Sequence, residues 1–408
     1  MPTPAFISAL KSDRCVHYLN NVLLTRAQSF DINANVPTEV IDEIGNSSHA
    51  GVSSAPPEVA LSVSVFDTGV DLARSLTGRS AATSFSLEHF ANAQVDYVGL
   101  VRDNSGNFYR SVYVRNACIN SIQYGYDTAG NAVEAYSMLG DNLTVFDGYV
   151  LTKSYTIVDP ATKSFILPLT GAEAPIPTKS GSYFNGAYIL QVARIANNVK
   201  VNLKESDYSY DAPTKKISLL NSFSTELAAG QVFTITFYSA QTGTSVAPVF
   251  NAAVPAVRGE FTPVSIGLST KTLIPRLQTA KIGINLAQKR VPQLGSRQVL
   301  YASGAIPSVG GSFSVLMNDL SLRKLLTYGN TGSGETQFGI EQLPAYGAQN
   351  NLGLEAMIKS PVDNTVLKRI TVPDIVVDSG GMPSTVNGTL TESFTWTGRT
   401  GTVTIANS

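Results

Sequence analysis

PEVALSVSVF at residues 57–66 and PSVGGSFSVL at residues 307–316 read as one strand written twice. In both, apolar residues alternate with Ser, Ala or Gly, the period-2 pattern of a strand with one buried and one solvated face. Working outward, residues 23–77 lie on 273–327 without a gap, and 16 of the 55 positions are identical. At about one chance match in fifteen, composition alone would give roughly four. The matches include Leu23/Leu273, Arg26/Arg276, Gln28/Gln278, Ile32/Ile282, Asn35/Asn285, Gly45/Gly295, Val59/Val309, Val65/Val315, Leu72/Leu322 and Leu76/Leu326. The relation continues with growing offsets. Phe85–Glu88 matches Phe338–Glu341 at 253, and Val114/Val372, Gly130/Gly388, Glu134/Glu392, Tyr136/Phe394, Met138/Trp396 and Val145/Val403 match at 258. An offset that only grows is the signature of a diverged duplication.

Each repeat carries the same expected elements. A long alternating strand comes first, with Phe30, Ile32, Ala34 and Val36 on one face and Ser29, Asp31, Asn33 and Asn35 on the other. Its second version sets Ala280, Ile282, Ile284 and Leu286 against Thr279, Lys281, Gly283 and Asn285. A polar excursion follows (37–57, 287–307), then the quoted strand. A short helix is next, with Thr68 or Asn318 placed to cap it and Val70, Leu72, Ala73 and Leu76 as its apolar stripe. Two strands close the unit, 109–119 with 131–139 and 366–377 with 389–397. Residues 147–255 form an insert. Ala187–Ala193, Asn198–Leu203, Asp207–Asp211, Lys216–Leu220 and Val232–Tyr238 read there as short strands at sandwich spacing. The expected class is mainly β, with two tandem β-sandwich or half-barrel domains (1–146 and 256–408), each with a short helix, around an inserted immunoglobulin-like sandwich (147–255).

Composition narrows the chemistry. The 408 residues carry 29 Lys+Arg and 30 Asp+Glu, a net charge of −1, so no electrostatic footprint for nucleic acid or an anionic membrane is present. Only 14% of residues are charged, which suits uncharged surfaces that meet other subunits. No apolar run approaches the roughly 18 residues of a membrane helix. The opening MPTPAFISALKSDRC lacks the pattern of a secretory leader. Cys15 and Cys118 are too few for a disulfide framework and read as free thiols. Three His and two Cys show no zinc spacing, and no Gly-rich stretch carries the Lys-Ser/Thr of a P-loop. Cys15 and His17 would share a strand face, but read as an N-terminal arm rather than a nucleophile pair. The expectation is no enzyme, no cofactor and no metal. Glu134 and Glu392 recur at equivalent positions between apolar residues, which favours a structural hydrogen bond or ion pair.

The two repeats resemble the tail-tube fold of bacteriophage tails and of related bacterial contractile machines. The residues that carry this are the long alternating strand, the loops with Glu43-Ile44-Gly45 and Gln293-Leu294-Gly295-Ser296-Arg297, the Pro-led Ser/Val strand and the short helix, over about 260 residues. The resemblance implies rings of β-sandwich units joined edge to edge around a lumen and stacked into a tube that passes DNA to the host. Two repeats per chain imply a trimer of pseudo-sixfold symmetry, located in the virion tail and assembled in the bacterial host cytoplasm. The implied partners are other copies of the chain, a tape measure, a terminator, a baseplate and a sheath, with DNA only in transit and no membrane. Lumen-facing candidates are Ser62, Ser64, Ser312, Ser314, Thr391, Ser393 and Thr395. A baseplate hub or tail-completion ring of the same fold, and a secreted β-domain adhesin, are the alternatives.

Charge separates the repeats. Residues 23–77 hold two bases and seven acids; residues 273–327 hold seven bases and one acid. Asp31 aligns with Lys281 and Glu39 with Lys289. Opposite charges favour unlike neighbours, so Asp31, Glu39, Asp42 and Glu43 against Lys281, Lys289, Arg290 and Arg297 are the candidate residues of the interfaces between repeats and subunits.

Overall fold

The computed structural model describes residues 15–41, 51–54, 57–102, 108–159, 161, 163–169, 173–180, 182–196, 199–220, 227–239, 256–268, 270–292, 299–303, 306–317, 321–328, 352–381 and 390–407. The chain is mainly β, built from several sheets. The first repeat holds β1 (Cys15–Leu19), β2 (Val22–Leu23), β3 (Ala27–Asn35), β4 (Thr38–Ile41), β5 (Gly51–Ser54), β6 (Glu58–Phe66), α1 (Asp71–Thr77), β7 (Ser84–Ser86), α2 (Leu87–Ala91), β8 (Gln94–Arg102), β9 (Phe108–Asp127), β10 (Val133–Gly140) and β11 (Thr144–Phe146). The insert holds β12 (Tyr149–Thr156), β13 (Ser164–Ile166), β14 (Ile189–Ala196), β15 (Val199–Asn202), β16 (Tyr208–Asp211), β17 (Lys216–Leu219) and β18 (Val232–Ser239). The second repeat holds β19 (Val264–Gly267), β20 (Lys271–Leu273), β21 (Leu277–Asn285), β22 (Gln288–Pro292), β23 (Val299–Ser303), β24 (Ser308–Leu316), α3 (Ser321–Tyr328), β25 (Gly353–Lys359), β26 (Val366–Val372), β27 (Ile375–Gly381), β28 (Thr391–Gly398) and β29 (Thr404–Ala406).

The strand-pairing register recurs rung by rung along the chain. β3 pairs β6 from Ala27↔Val65 to Asn35↔Glu58, with a bulge between Ala27 and Ser29. β21 pairs β24 from Leu277↔Val315 to Asn285↔Ser308, with its bulge between Leu277 and Thr279. Every partner has moved by 250. Arg26 and Arg276 both take positive φ, 60° and 55°, just before the bulge. Gln28 and Gln278 each donate a side-chain N–H to the carbonyl of that Arg, at 3.2 and 3.3 Å. The identities at those positions therefore record a shared strained turn. Further on, Ser137↔Ser121 and Met138↔Ile119 flank a bulge that recurs as Thr395↔Ser379 and Trp396↔Val377, all displaced by 258. β11 opposes Val112 with Val145, and β29 opposes Ile370 with Ile405. Val145 thus corresponds to Ile405, not to Val403, and the offset has grown to 260.

Residues that differ between the repeats compensate each other. Leu61 faces Met138 in the first, and Gly311 faces Trp396 in the second. A Cβ on Gly311 would overlap the Lys281 carbonyl oxygen and lie 2.7 Å from the Trp396 ring, so the neighbouring strand and the indole both require the glycine. The larger side chain on one strand is offset by a smaller one opposite, as close-packed interiors require.

Several local expectations change. The strand expected at 366–377 is two strands, because Pro373 has no N–H to give to a ladder. In the first repeat the corresponding chain is the single strand β9, which bends at Asn116 with φ 53°. β9 pairs β10 through residues 118–125, not 109–119. Helix α1 begins after Val70 with no side-chain cap, so Thr68 does not cap it; Asn318 lies outside the described residues. The first repeat has a second short helix, α2, whose Ser86 amide bonds the His89 ring.

The insert packs a four-stranded sheet (β12-β18-β14-β15) on a three-stranded one (β13-β17-β16) around Phe165, Val192, Ile217, Phe233, Ile235 and Phe237. It sits on the first repeat through Val16, Leu100, Tyr113, Phe146, Tyr149 and Leu190. Lys200 pairs with Asp96, and Arg115 with Glu205 at 2.9 Å. The two repeats share one continuous hydrophobic core.

Candidate assembly surface

One sheet runs through both repeats in the order β3-β6-β10-β9-β21-β24-β28-β27. Its first four strands are the register counterparts of its last four. The join is β9 with β21, from Thr279↔Asp127 to Asn285↔Ser121, and the Leu286 amide adds a bond to the Asn120 carbonyl at 2.8 Å. On the core side of this seam lie Ile122, Tyr124 and Tyr126 with Ala280, Ile282 and Ile284, all buried. A second continuation joins β7 of the first repeat to β29 of the second, Phe85 opposite Ile405. The repeats are therefore fused through two sheets.

The seam encloses a group of charges. The Lys368 ammonium, from β26, donates to Asp67 Oδ1 at 2.9 Å and to Glu134 Oε2 at 2.7 Å, with all three side chains 3% exposed or less. It lies 4.5 Å from the centre of the Tyr124 ring. The Tyr136 hydroxyl donates to Glu134 and the Tyr126 hydroxyl to Asp67. Burial pushes the Glu134 carboxyl up to about 7 and raises Asp67 as well, against the opposing pull of Lys368. Burial opposes the charged form of Lys368, but the two carboxylates hold it above its usual range. A buried ion of this kind persists only when its hydrogen-bonding capacity is met. At the opposite end of β6, Arg290 on the β22–β23 hairpin pairs with Glu58 at 2.7 Å and also donates to the Pro57 carbonyl. Gln288 donates to the Ala91 carbonyl at 2.8 Å. At each of these ionic contacts the second repeat supplies the cation and the first the anion.

The counterpart acid, Glu392, is 1% exposed and is met within its own repeat by Arg323 Nε at 2.7 Å. The position corresponding to Arg323 is Ala73. The same buried acid is thus neutralised locally in the second repeat and by the neighbouring repeat in the first.

Of the residues singled out from sequence, Arg290 makes a contact between repeats. Lys289 is exposed, and Lys281 is exposed on β21 between Gly125 and Ser312. Asp31 is exposed on the edge strand β3 opposite Ser62. Glu39 lies in β4, whose side chain there is not described, and Asp42, Glu43 and Arg297 lie outside the described residues altogether. Ser62, Ser64, Ser312, Ser314, Thr391, Ser393 and Thr395 all fall on the face of the long sheet away from the core, and are exposed or half-buried. Ser121, Gln123, Ser137, Asn285 and Thr397 extend that face, in which Asp31 and Lys281 are equivalent and opposite in charge. Sequence reasoning misses Lys368, Asp67 and Glu58. A Lys beside an Arg in an alternating strand reads as a solvated row, so Lys368 carries no sequence signal. His17 stacks on Phe30 at 4.4 Å and its Nδ1 lies 3.0 Å from the Tyr97 hydroxyl, which gives it a packing role. Among the described residues no cluster of three or more His, Cys, Asp or Glu could hold a metal, and no helix is long and apolar enough to cross a membrane.

No protein-family model matches the sequence, and no curated protein matches it. Solved structures do show likeness. One is the sheath–tube complex of an extracellular contractile injection system (PVC) in its extended state, 15% identical, covering 35% of this chain and 94% of that one at TM-score 0.26. Another is the tube-terminating cap of the anti-feeding prophage (AFP), 19% identical, covering 35% and 95% at TM-score 0.25. A third is the PVC sheath/tube terminator, 16% identical, covering 35% and 99% at TM-score 0.26.

Proposed function

We propose that this chain is a structural subunit of a phage-type tail tube. In this reading residues 1–146 and 256–408 are two tube domains, and 147–255 is an outer decoration. Three chains close a pseudo-sixfold ring, and stacked rings enclose a lumen that conducts DNA. The observation that carries the reading is the run of eight strands within the twelve-stranded sheet, two halves of matching register that end in β3 and β27. A unit repeated by one fixed operation, with complementary ends, closes into a ring when the rotation fits. Closure also removes the free edges, which are otherwise sites of uncontrolled pairing.

The polar face supports the same reading. Its Ser, Thr, Asn and Gln rows with balanced Asp31 and Lys281 suit a wall along which a polyanion slides without sticking or strong repulsion. The self-association and the contacts with tape measure, terminator, baseplate and sheath follow from this role.

The test is the mass and shape of the purified full-length chain, by sedimentation and negative-stain imaging. Three chains of 43.3 kDa give rings of about 130 kDa, and tubes when rings stack. Isolated rings that never stack would point to a hub or completion ring instead. A chain that stays monomeric at high concentration would overturn the proposal.

A further inference from the structure

The two repeats carry the same strand in two different environments. In β21, Ala280, Ile282 and Ile284 are 4%, 2% and 2% exposed, and Leu286 is fully buried, because β9 lies alongside. In β3 the counterparts Phe30 and Ile32 are half-buried, Ala34 is exposed, and Val36 is 50% exposed. Among the described residues β3 pairs with β6 alone, and β27 with β28 alone. The last three residues of β27, Ser379–Gly381, are the register counterparts of Ser121–Gln123, the first part of the stretch of β9 that covers β21. The molecule thus contains, once, the joint that both of its free edges are shaped for.

We infer that β27 of one chain pairs antiparallel with β3 of a second copy, in the register Ser379↔Asn35, Gly380↔Ala34 and Gly381↔Asn33, and that this seam is built weaker than the one inside the chain. The inference rests on the ring reading above. The register follows by carrying Ser121↔Asn285, Ile122↔Ile284 and Gln123↔Gly283 through the displacements of 258 and 250. The Leu286 amide bond to the Asn120 carbonyl becomes a Val36 amide bond to the Asp378 carbonyl of the other chain. The occupant is a second copy because the covering strand already exists in this chain, in matching register and with matching bulge.

The difference in strength is written in the exchanged residues. The core-side pair Ile122/Ile284 becomes Gly380/Ala34, and Leu286 becomes Val36, so less apolar surface is removed from water. The cross-repeat ions have no counterparts. Asp67 corresponds to Met317 and Glu58 to Ser308. Glu134 corresponds to Glu392, already closed by Arg323, and Lys368 to Arg110, which pairs with Asp147 at 3.2 Å. A ring built this way opens first at its chain–chain seams, before the seam inside each chain, and those chain–chain seams tolerate salt.

The experiment is a disulfide at the proposed rung. Opposed Cα atoms in an antiparallel pair lie about 4.5–5.5 Å apart, within disulfide reach. Asn35 and Ser379 are both exposed in the single chain, so Asn35→Cys/Ser379→Cys leaves folding intact. Cys15→Ser is added; Cys118 is buried, and burial pushes its thiol up to about 12, so it does not compete. Mild oxidation of the assembled protein should give a ladder on a non-reducing gel that ends at three chains. The off-register pair Asn35→Cys/Gly381→Cys should link at least tenfold more slowly. Rings that form without linking at the first pair, or that link equally at both, would overturn the seam while leaving the ring reading intact. A ladder ending at another number would keep the seam and overturn the trimer. A protein that does not self-associate would overturn both.

Discussion

Replacing Lys368 by Met tests how the two repeats are held together. The ammonium contacts two carboxylates at 2.9 and 2.7 Å in a site with essentially no solvent. At an effective dielectric constant near 20, each contact has a gross attraction of about 6 kcal/mol. Desolvation of three charged groups offsets most of that, so the net worth of the intact group is small. Removal is asymmetric, because it leaves Asp67 and Glu134 buried with only the Tyr126 and Tyr136 hydroxyls and local backbone as partners. The expected loss is about 3–5 kcal/mol at neutral pH. Urea unfolding followed by fluorescence of Trp396, the single tryptophan, reads it out from inside the second repeat. The loss should shrink at pH 5, where protonation neutralises the stranded acids, and grow at pH 8. The neutral triple variant Asp67→Asn/Glu134→Gln/Lys368→Met should recover most of the stability, since no charge is then buried. A loss below about 1 kcal/mol, or one equal at pH 5 and pH 8, would refute the reasoning.

Glu134→Gln isolates the pH dependence. The folded carboxyl sits at about 7, above its unfolded value, so its contribution is full below the unfolded pKa and is lost as pH rises through about 7. Wild-type stability should fall between about pH 5 and 7 by at most about 1.4 kcal/mol per pH unit, and the variant should flatten that slope in urea titrations. Ala34→Ile restores at the free edge the side chain that Ile284 supplies inside the chain. The gain is about 1–2 kcal/mol per chain–chain seam and a roughly tenfold lower dissociation concentration by sedimentation, with the isolated chain's melting unchanged. A double-mutant cycle on Arg290→Ala and Glu58→Ala should give a coupling of about 0.5–1 kcal/mol that declines with salt, because Glu58 is half exposed. Its absence would remove the hairpin as a charged strut between the repeats.

The charge reversal between the repeats takes on a definite place in the fold. Opposite charges on aligned positions predict an order of units around a ring. Inside the chain, order is already set by the continuous sheet, and the opposite charges that meet do so across the internal seam, as Arg290 with Glu58 and Lys368 with Asp67 and Glu134. The recurrence of Glu134 and Glu392 between apolar residues predicts acids with structural partners, and both have one. The partners differ because Ala73 in the first repeat stands where Arg323 stands in the second.

The sequence alone determined that the chain is mainly β and that one strand pattern recurs in it at a displacement of about 250 residues. Alternation and identity are local properties, and a strand with one buried face needs a side chain of the right polarity every second residue. That is why the strands around Val59–Val65 and Val309–Val315, and those of the insert, are legible in the order of the residues themselves. Tertiary structure alone decided which edges meet. The pairing of β9 with β21 joins residues about 160 positions apart, and backbone hydrogen bonds look the same whatever side chains they carry. Lys368 illustrates the limit. It is an ordinary strand lysine until the fold places two acids from the other repeat around it, and only the closing of that seam turns a solvated side chain into a buried cation.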